Sequence, residues 1–302
     1  MTLPCVSHPE YPITSDNYLN LYAGQQEDED VKLNRFQCYQ DMTDEQRQTF
    51  ETFKKDVLAA EQQQKWTAIV PDEFTILRFL QADKYDTSKA MARLEANQIW
   101  LQEINIPKLL TTNPPQHLQQ YRKLRARAFM GRSHDGMPIF VERLGDFFNA
   151  IPSKEGNLLT RQDWMDCFLY DLAELIAQIK ESYRINLQNN QPITWKATWI
   201  MDTNNVGFYR AGKAISTIQL LDKLTEPNFP ELAGPVVIMR VPTIVNGIYK
   251  ICKAFLDPVV AAKISVYGGL PKNELLQRMD ESVLFEEFGG TNTKEFPKAE
   301  YS

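Results

Sequence analysis

Three groups of residues have types and spacing that could support chemistry. The first, GFYRAGKA at residues 207–214, nearly matches the phosphate-binding loop G-x-x-x-x-G-K-[ST] and lies between a predicted strand and a predicted helix. Ala214 lacks the hydroxyl that would hold Mg²⁺, and residues 208–210 are too bulky for a tight cradle of backbone amides. We therefore expect Lys213 to be a solvated lysine in the first turn of a helix, with nucleotide binding as an alternative.

The second group, Ser133, His134 and Asp135, contains the residue types of a hydrolytic triad. Adjacent residues do not easily converge as nucleophile, base and orienting acid, and the sequence has no G-x-S-x-G motif. The chain has three histidines, and no cluster of His, Asp or Glu has the spacing of metal ligands. We therefore predict a protein without catalytic activity, metal or cofactor.

The third candidate is Lys263, whose neighbours at 261, 262 and 264 are apolar. A cation in such a setting needs an anionic partner or a path to water. Lys263 follows a predicted amphipathic helix that begins at residue 244 and breaks where Asp257 precedes Pro258. Periodicity alone favours a surface helix packed on a sheet, but the apolar face is wide. That face carries Ile244, Val245, Ile248, Tyr249, Ile251, Cys252, Phe255 and Leu256.

Alternating strand and helix patterns surround these groups. Apolar, β-branched runs predict strands over 138–144, 196–202, 236–241 and 265–267, and helical periodicity predicts helices over 163–183, 212–224 and 275–279. Such alternation is typical of an α/β fold with a largely parallel sheet. Residues 288–290 predict a turn.

The region before this alternation has a different pattern. Residues 1–40 mix prolines, tyrosines and an acidic run, which indicates an extended arm or leader. Residues 41–115 predict a helical bundle of three amphipathic helices, begun by a capping box of Thr43 and Gln46, by Asp72, and by Asp86 or Thr87. The main domain is then predicted over 116–290, with a tail at 291–302.

Composition limits the classes of partner. A net charge of −6 gives no general affinity for nucleic acid, and an anionic membrane would repel the chain overall. Four widely spaced cysteines fit reduced thiols in the cytosol, and the N-terminus does not resemble a signal peptide. No apolar run is long enough to span a bilayer. We predict a soluble, cytoplasmic protein, a monomer, whose membrane contact is local and apolar.

Several stretches resemble the CRAL-TRIO lipid-binding family, in particular its secretory-pathway phosphatidylinositol transfer proteins. The matching stretches occur in the order and spacing of the family, from about residue 70 to 290. They are ILRFLQADKYD at 76–86, DGMPIFVERLG at 135–145, WIMDTNNVGF at 199–208, NFPELAGPVVIMRVPTIVNGIYKICKAFLDPVVAAKI at 228–264, and FGG at 288–290. The family also has a turn similar to residues 207–214 with no nucleotide role.

The resemblance implies a helical N-terminal bundle and an α/β domain that encloses a deep lipid pocket. It also implies that an amphipathic helix closes this pocket as a gate, here residues 244–263 with Ile244, Ile248, Phe255 and Leu256. The inositol phosphate contacts of the family match Lys84, Glu231 and Lys263. The chain departs from this pattern at three positions. Such members have arginine where this chain has Asp83 and Leu232, and they have threonine where it has Val260.

Relatives that also carry phosphatidylcholine use two tyrosines and two small hydroxyl residues near its head group. The matching positions here are Phe129, Phe140, Ala197 and Trp199, none of which has a hydroxyl. The resemblance therefore implies a soluble carrier that takes phosphatidylinositol from one membrane to another, with weak or absent phosphatidylcholine binding. A carrier of a smaller apolar molecule, such as a tocopherol, retinoid or sterol, is the alternative within the family.

Overall fold

The structure is a computed structural model that describes residues 42–105, 114–144, 159–189, 195–204, 225–242 and 263–296. Several predictions concern residues outside these ranges: the leader at 1–40, the near-match to a phosphate-binding loop at 207–214 with its helix at 212–224, and the gate helix up to residue 262. None of the helices in the described ranges is long and apolar enough to cross a membrane. The predicted domain boundaries stay predictions.

Three helices form the N-terminal part: α1, Asp44–Gln62; α2, Glu73–Ala82; and α3, Thr87–Glu103. The predicted capping box is confirmed, because Thr43 Oγ1 accepts from the Gln46 amide at 3.2 Å and Gln46 Oε1 accepts from the Thr43 amide at 3.0 Å. Asp72 and Asp86 cap α2 and α3 through their side chains. Each such cap stabilises its helix by about 1 kcal/mol.

The main domain is built on one five-stranded sheet in the order β1-β2-β3-β4-β5. The strands are β1, Arg127–Arg132; β2, Pro138–Arg143; β3, Ala197–Asp202; β4, Ala233–Met239; and β5, Ile264–Val266. β1 pairs with β2 antiparallel, and the other three pairs are parallel, which confirms the largely parallel α/β sheet. The helices α4, Leu118–Leu124; α5, Arg161–Gln188; and α6, Lys272–Arg278, complete the described elements, with a 3₁₀ turn at Glu286–Phe288.

Both faces of the sheet are covered, since successive side chains of a strand point to opposite faces. One face, which includes Phe140 and Ala197, belongs to a core shared with α5 and the N-terminal helices. The other face packs against α6 and the C-terminal aromatic residues. It contributes Ile139, Val141, Ile200, Val237 and Met239, and its partners include Leu275, Phe285, Phe288 and Phe296.

Several elements differ from the sequence predictions, among them β1, β4 and α5. β1 was not predicted, because its alternation places arginines where an apolar face is expected. β4 begins at Ala233, before Pro235, because the register with β3 is irregular there and accommodates a proline without an N–H. α5 begins two residues before the predicted 163 because Thr160 and Asp163 form a capping box, and it continues to Gln188, five residues past the predicted end.

Candidate functional site

Glu231 lies between two lysines. Its Oε2 accepts a hydrogen bond from Lys196 Nζ at 2.7 Å and another from Lys263 Nζ at 2.9 Å. The side chains of Lys196 and Lys263 are 1% and 5% exposed, and that of Glu231 is 17% exposed. Within the described ranges Oε1 of Glu231 has no hydrogen-bond partner, so the lysines fix one oxygen and leave the other open.

The charges of the two lysines determine the direction in which the pKa of Glu231 is shifted. Burial alone raises the pKa of Glu231, but the charges of Lys196 and Lys263 and their hydrogen bonds outweigh it and lower the pKa from 4.5 to about 2. The carboxylate is therefore ionised at neutral pH. Two ammonium groups thus flank one ionised carboxylate in a nearly buried place.

Sheet topology brings the three residues together. Lys196 immediately precedes β3, Glu231 precedes β4 by two residues, and Lys263 immediately precedes β5. Because these strands are adjacent and parallel, the residues before them meet at one edge of the sheet. Gly234 permits the close approach of β4, since a Cβ there would lie 2.9 Å from Met137 Sδ and 3.1 Å from the Ala197 carbonyl oxygen.

The N-terminal helices hold the segment that carries Glu231. Arg78 of α2 donates from Nη1 to the Pro230 carbonyl oxygen at 3.1 Å. Burial lowers the pKa of Arg78 to about 10, against the opposing charges of Asp72 and Glu231, and its Nε has no hydrogen-bond partner among the described residues. Asn97 of α3 donates to the carbonyl oxygen of Asn228 at 3.2 Å. The bundle therefore fixes the approach of the chain to Glu231.

Three of the six described non-glycine residues with positive φ lie in this part of the molecule. Lys84 and Tyr85, at the end of α2, have φ of 54° and 63°, and Glu231 has φ of 58°. A non-glycine residue in the left-handed region costs of order 1–3 kcal/mol, and such residues are enriched at functional sites. The pKa of Tyr85 is raised mainly by burial and also by the charge of Glu231, so its hydroxyl lies close enough to sense that carboxylate.

Lys84 itself is exposed at the end of α2. The adjoining Asp83, which occupies a position where similar proteins have arginine, is paired in a bidentate manner with Arg93 Nε and Nη2, both at 2.9 Å. The charge of Asp83 is therefore compensated inside the protein. That Lys84 contacts the same head group as Lys263 stays a prediction.

The four residues matched to the second-ligand position lie on neighbouring strands. Phe129, Phe140 and Trp199 are register partners across β1, β2 and β3, with ring centroids 5.3 Å and 4.6 Å apart. Ala197 is fully buried two residues before Trp199. Trp199 Nε1 is buried without a hydrogen-bond partner among the described residues. The structure thus has an aromatic row here, whose role as a ligand pocket stays a prediction.

One residue of this cluster, Lys196, was missed in the sequence. Lys196 begins the stretch KATWIMD, and a lysine before an apolar strand also fits an ordinary exposed strand end. Its nearly complete burial follows only from the strand order.

The chain was compared with known families and proteins. The CRAL/TRIO domain profile matches residues 127–290. The SEC14 cytosolic factor of Eremothecium gossypii is 25% identical over 223 residues, which cover 72% of this chain and 69% of that protein. The phosphatidylinositol/phosphatidylcholine transfer protein SFH7 of Arabidopsis thaliana is 26% identical over 224 residues, covering 74% of this chain but 40% of SFH7. The crystal structure of Sfh5 matches with a TM-score of 0.53 at 16% identity, over 84% of this chain and 90% of Sfh5, and so has the same fold.

Proposed function

Because this chain belongs to the CRAL/TRIO domain family, we propose that it binds phosphatidylinositol in an internal pocket and carries it between membranes. The names of its relatives support this choice of lipid, since the similar proteins include a phosphatidylinositol/phosphatidylcholine transfer protein. The single observation that carries the proposal is the cluster of Lys196, Glu231 and Lys263.

The chemistry of this cluster suits a phosphoinositol head group. Lys263 donates to a phosphate oxygen, and the open Oε1 of Glu231 accepts from an inositol hydroxyl. Lys196 holds Oε2 and supplies a positive charge beside it. Each charge-assisted hydrogen bond contributes about 1.5–3 kcal/mol where water is excluded. Lys84 is the second phosphate ligand in this proposal.

A carrier with an enclosed pocket is physically necessary for such a lipid. Each methylene exposed to water costs about 0.8 kcal/mol, so a phospholipid with two acyl chains does not diffuse freely as a monomer. The carrier must therefore load and unload at a membrane surface. We assign that contact to the gate helix and its residues Ile244, Ile248, Phe255 and Leu256, with the protein acting as a cytoplasmic monomer that associates with membranes transiently.

A second candidate function is the transport of a small apolar molecule, such as a tocopherol, retinoid or sterol. The aromatic row of Phe129, Phe140 and Trp199 favours it, because this row presents apolar ring surface and no hydroxyl group. Binding of such a ligand would not require the charged cluster at Glu231.

Mass spectrometry of an organic extract of the purified protein tests the choice between these functions. We expect phosphatidylinositol in the extract at close to one molecule per chain, and no comparable amount from a Lys263→Ala variant purified in parallel. An extract that contains a tocopherol, retinoid or sterol in place of phosphatidylinositol would refute the first proposal and support the second. A nucleotide that co-purifies with the protein would instead implicate residues 207–214 as a nucleotide-binding site.

A further inference from the structure

The strand β1 lies at one end of the described sheet, and β2 pairs with one of its two edges. In an antiparallel pair, residues that bond to the partner strand alternate with residues whose backbone groups point away from it. The Arg143 amide donates to the Ala126 carbonyl oxygen at 3.0 Å, and the Ser133 amide donates to the Met137 carbonyl oxygen at 2.9 Å. The residues at the alternate positions direct their backbone N–H and C=O groups to the free edge: Arg127, Phe129 and Arg132. Within the described chain, no backbone group outside the sheet bonds to them.

An open groove of about 720 Å³ runs along this edge. Its lining includes the consecutive residues 129–134. Because successive side chains of a strand point to opposite faces, a groove that touches consecutive residues lies beside the strand rather than on one face. α5 forms one wall through Gln178 and Ser182, and Asp280 and Val283 form the other. The free edge of β1 is therefore the floor of a surface groove with two walls.

The groove contains a cation that has donors to spare. Arg132 donates from Nε to Ser182 Oγ at 3.0 Å, and its other donors have no hydrogen-bond partner among the described residues. Asp280, the one carboxylate among the described lining residues, lies 3.4 Å from His134 Nε2, and its side chain is 77% exposed to the screening of the solvent. Arg132 is thus fixed by Ser182 and presents Nη1 and Nη2 to a carboxylate from outside.

We propose that the free edge of β1 binds an extended, acidic peptide segment of a partner protein as an additional strand. The outward backbone groups supply main-chain hydrogen bonds, as in other cases of β-strand addition, and Arg132 binds an acidic side chain of the peptide. The register irregularity between Phe129 and Gly131 keeps the paired stretch short. This surface is separate from the cluster at Glu231, so the inference does not depend on the proposed function.

Charge favours an acidic partner over a second copy of this chain. β1 begins and ends with arginine, Arg127 and Arg132. Two copies paired through this edge would bring arginines of both chains together, and like charges opposite each other destabilise a strand pair. Charged side chains on edge strands oppose self-pairing in this way. An acidic strand meets opposite charge instead.

Fluorescence anisotropy with matched peptides tests the proposal on the full chain. The probe is a dye-labelled peptide, Thr-Val-Glu-Val-Glu-Val-Thr, amidated so that only its side chains are negative. One control peptide has lysine in place of glutamate, and another has methylated backbone amides, which cannot donate to a strand. We expect the acidic peptide to bind roughly tenfold more tightly than either control. Equal binding of the lysine peptide would overturn the role of Arg132, equal binding of the methylated peptide would overturn strand addition, and no saturable binding would overturn both.

Amide hydrogen exchange locates the bound peptide. Binding should slow exchange at the outward amides of Phe129 and Arg132 and leave the Ser133 amide, which already donates to Met137, as it is. Unchanged exchange at both outward amides would show that the peptide binds elsewhere.

A charge variant tests the contact to the acidic side chain. Arg132→Gln should weaken binding of the acidic peptide roughly tenfold and leave the lysine peptide unaffected. Arg184→Gln is the matched control, since Arg184 also faces α5 neighbours, pairs with Glu181 and is not among the residues that line the groove. Circular dichroism verifies folding. Equal affinity of the folded Arg132→Gln variant and the parent would refute the contact.

The same exchange measurement distinguishes two rival occupants. If the acidic run at 27–30 of this chain occupied the edge, the outward amides would already exchange slowly in the free protein, and they would exchange faster in a full-length variant with glutamine and asparagine at those positions. If a second copy occupied the edge, protection would rise with protein concentration. Either result would refute binding of a partner protein, whereas fast exchange in the free protein at every concentration would support it.

Discussion

Lys196 Nζ lies 2.7 Å from Glu231 Oε2, and the side chain of this lysine is only 1% exposed. In the proposed site, Lys196 uses this hydrogen bond to hold the carboxylate of Glu231. Its effect on the ligand therefore passes through Glu231, whose Oε2 it holds and whose charge it offsets. Lys196 is thus a positioning residue in the proposed site, and Lys263 is the contacting one.

Replacement of the contacting lysine is the most direct test of the proposed site. We expect Lys263→Ala to lower phosphatidylinositol transfer between vesicles by roughly tenfold or more, because a charge-assisted contact worth about 1.5–3 kcal/mol is lost. Lys272→Ala is the control, because Lys272 is 47% exposed and pairs with Glu281 on the surface. Equal transfer by the Lys263→Ala variant and the parent would refute the assignment of Lys263 as a ligand of the head group.

The role of Lys196 calls for a double-mutant cycle. Lys196→Met keeps the length of the side chain but removes the charge, and we expect it to destabilise the fold by about 1–3 kcal/mol, because Glu231 loses a buried hydrogen-bond donor. Glu231→Gln and the double variant complete the cycle, measured by urea unfolding. Residues in one ion-pair network couple by about 0.5–3 kcal/mol. Additive effects of the two substitutions would show that this pair does not act as a unit.

Acid unfolding should report on Glu231. Its pKa is about 2 in the folded protein against 4.5 ordinarily, so the unfolded state binds more protons between these values. The stabilisation is present above pH 4.5 and is lost as pH falls towards 2, and its full size is about 3 kcal/mol. Urea unfolding at pH 3 and pH 7 should therefore show a smaller pH difference for Glu231→Gln than for the parent. Identical pH differences would contradict the depressed pKa.

The sequence predicted much of the fold and only part of this site. Local periodicity and capping residues placed α1, α2 and α3, and resemblance to a family singled out Glu231 and Lys263. Lys196 was missed because it lies 35 residues before Glu231 in the chain, and only the parallel order of β3 and β4 brings them together.

The gate helix is open to test although residues 244–262 lie outside the described ranges. Ile248→Asp and Phe255→Asp place a charge on its predicted apolar face, and transfer of a charged side chain into an apolar environment is strongly unfavourable. We expect both variants to sediment less with liposomes and to exchange lipid several-fold more slowly. Asn246→Asp adds the same charge at a residue that is not part of the predicted apolar face, and it should behave as the parent does. Equal losses in all three variants would indicate a general charge effect rather than a gate.

Phosphatidylcholine should be transferred much more weakly than phosphatidylinositol. Phe129, Phe140, Ala197 and Trp199 offer no hydroxyl to its phosphate, and Arg127 already stacks over the Phe140 ring. A choline cation on an aromatic face gains about 0.5–2 kcal/mol, whereas a buried phosphate without donors costs several. Transfer of labelled lipids measures the ratio directly. The combined variant Phe129→Tyr, Phe140→Tyr, Ala197→Ser and Trp199→Thr restores four hydroxyls and should raise phosphatidylcholine transfer relative to phosphatidylinositol transfer. Comparable transfer of both lipids by the parent protein would show that other residues satisfy the choline head group.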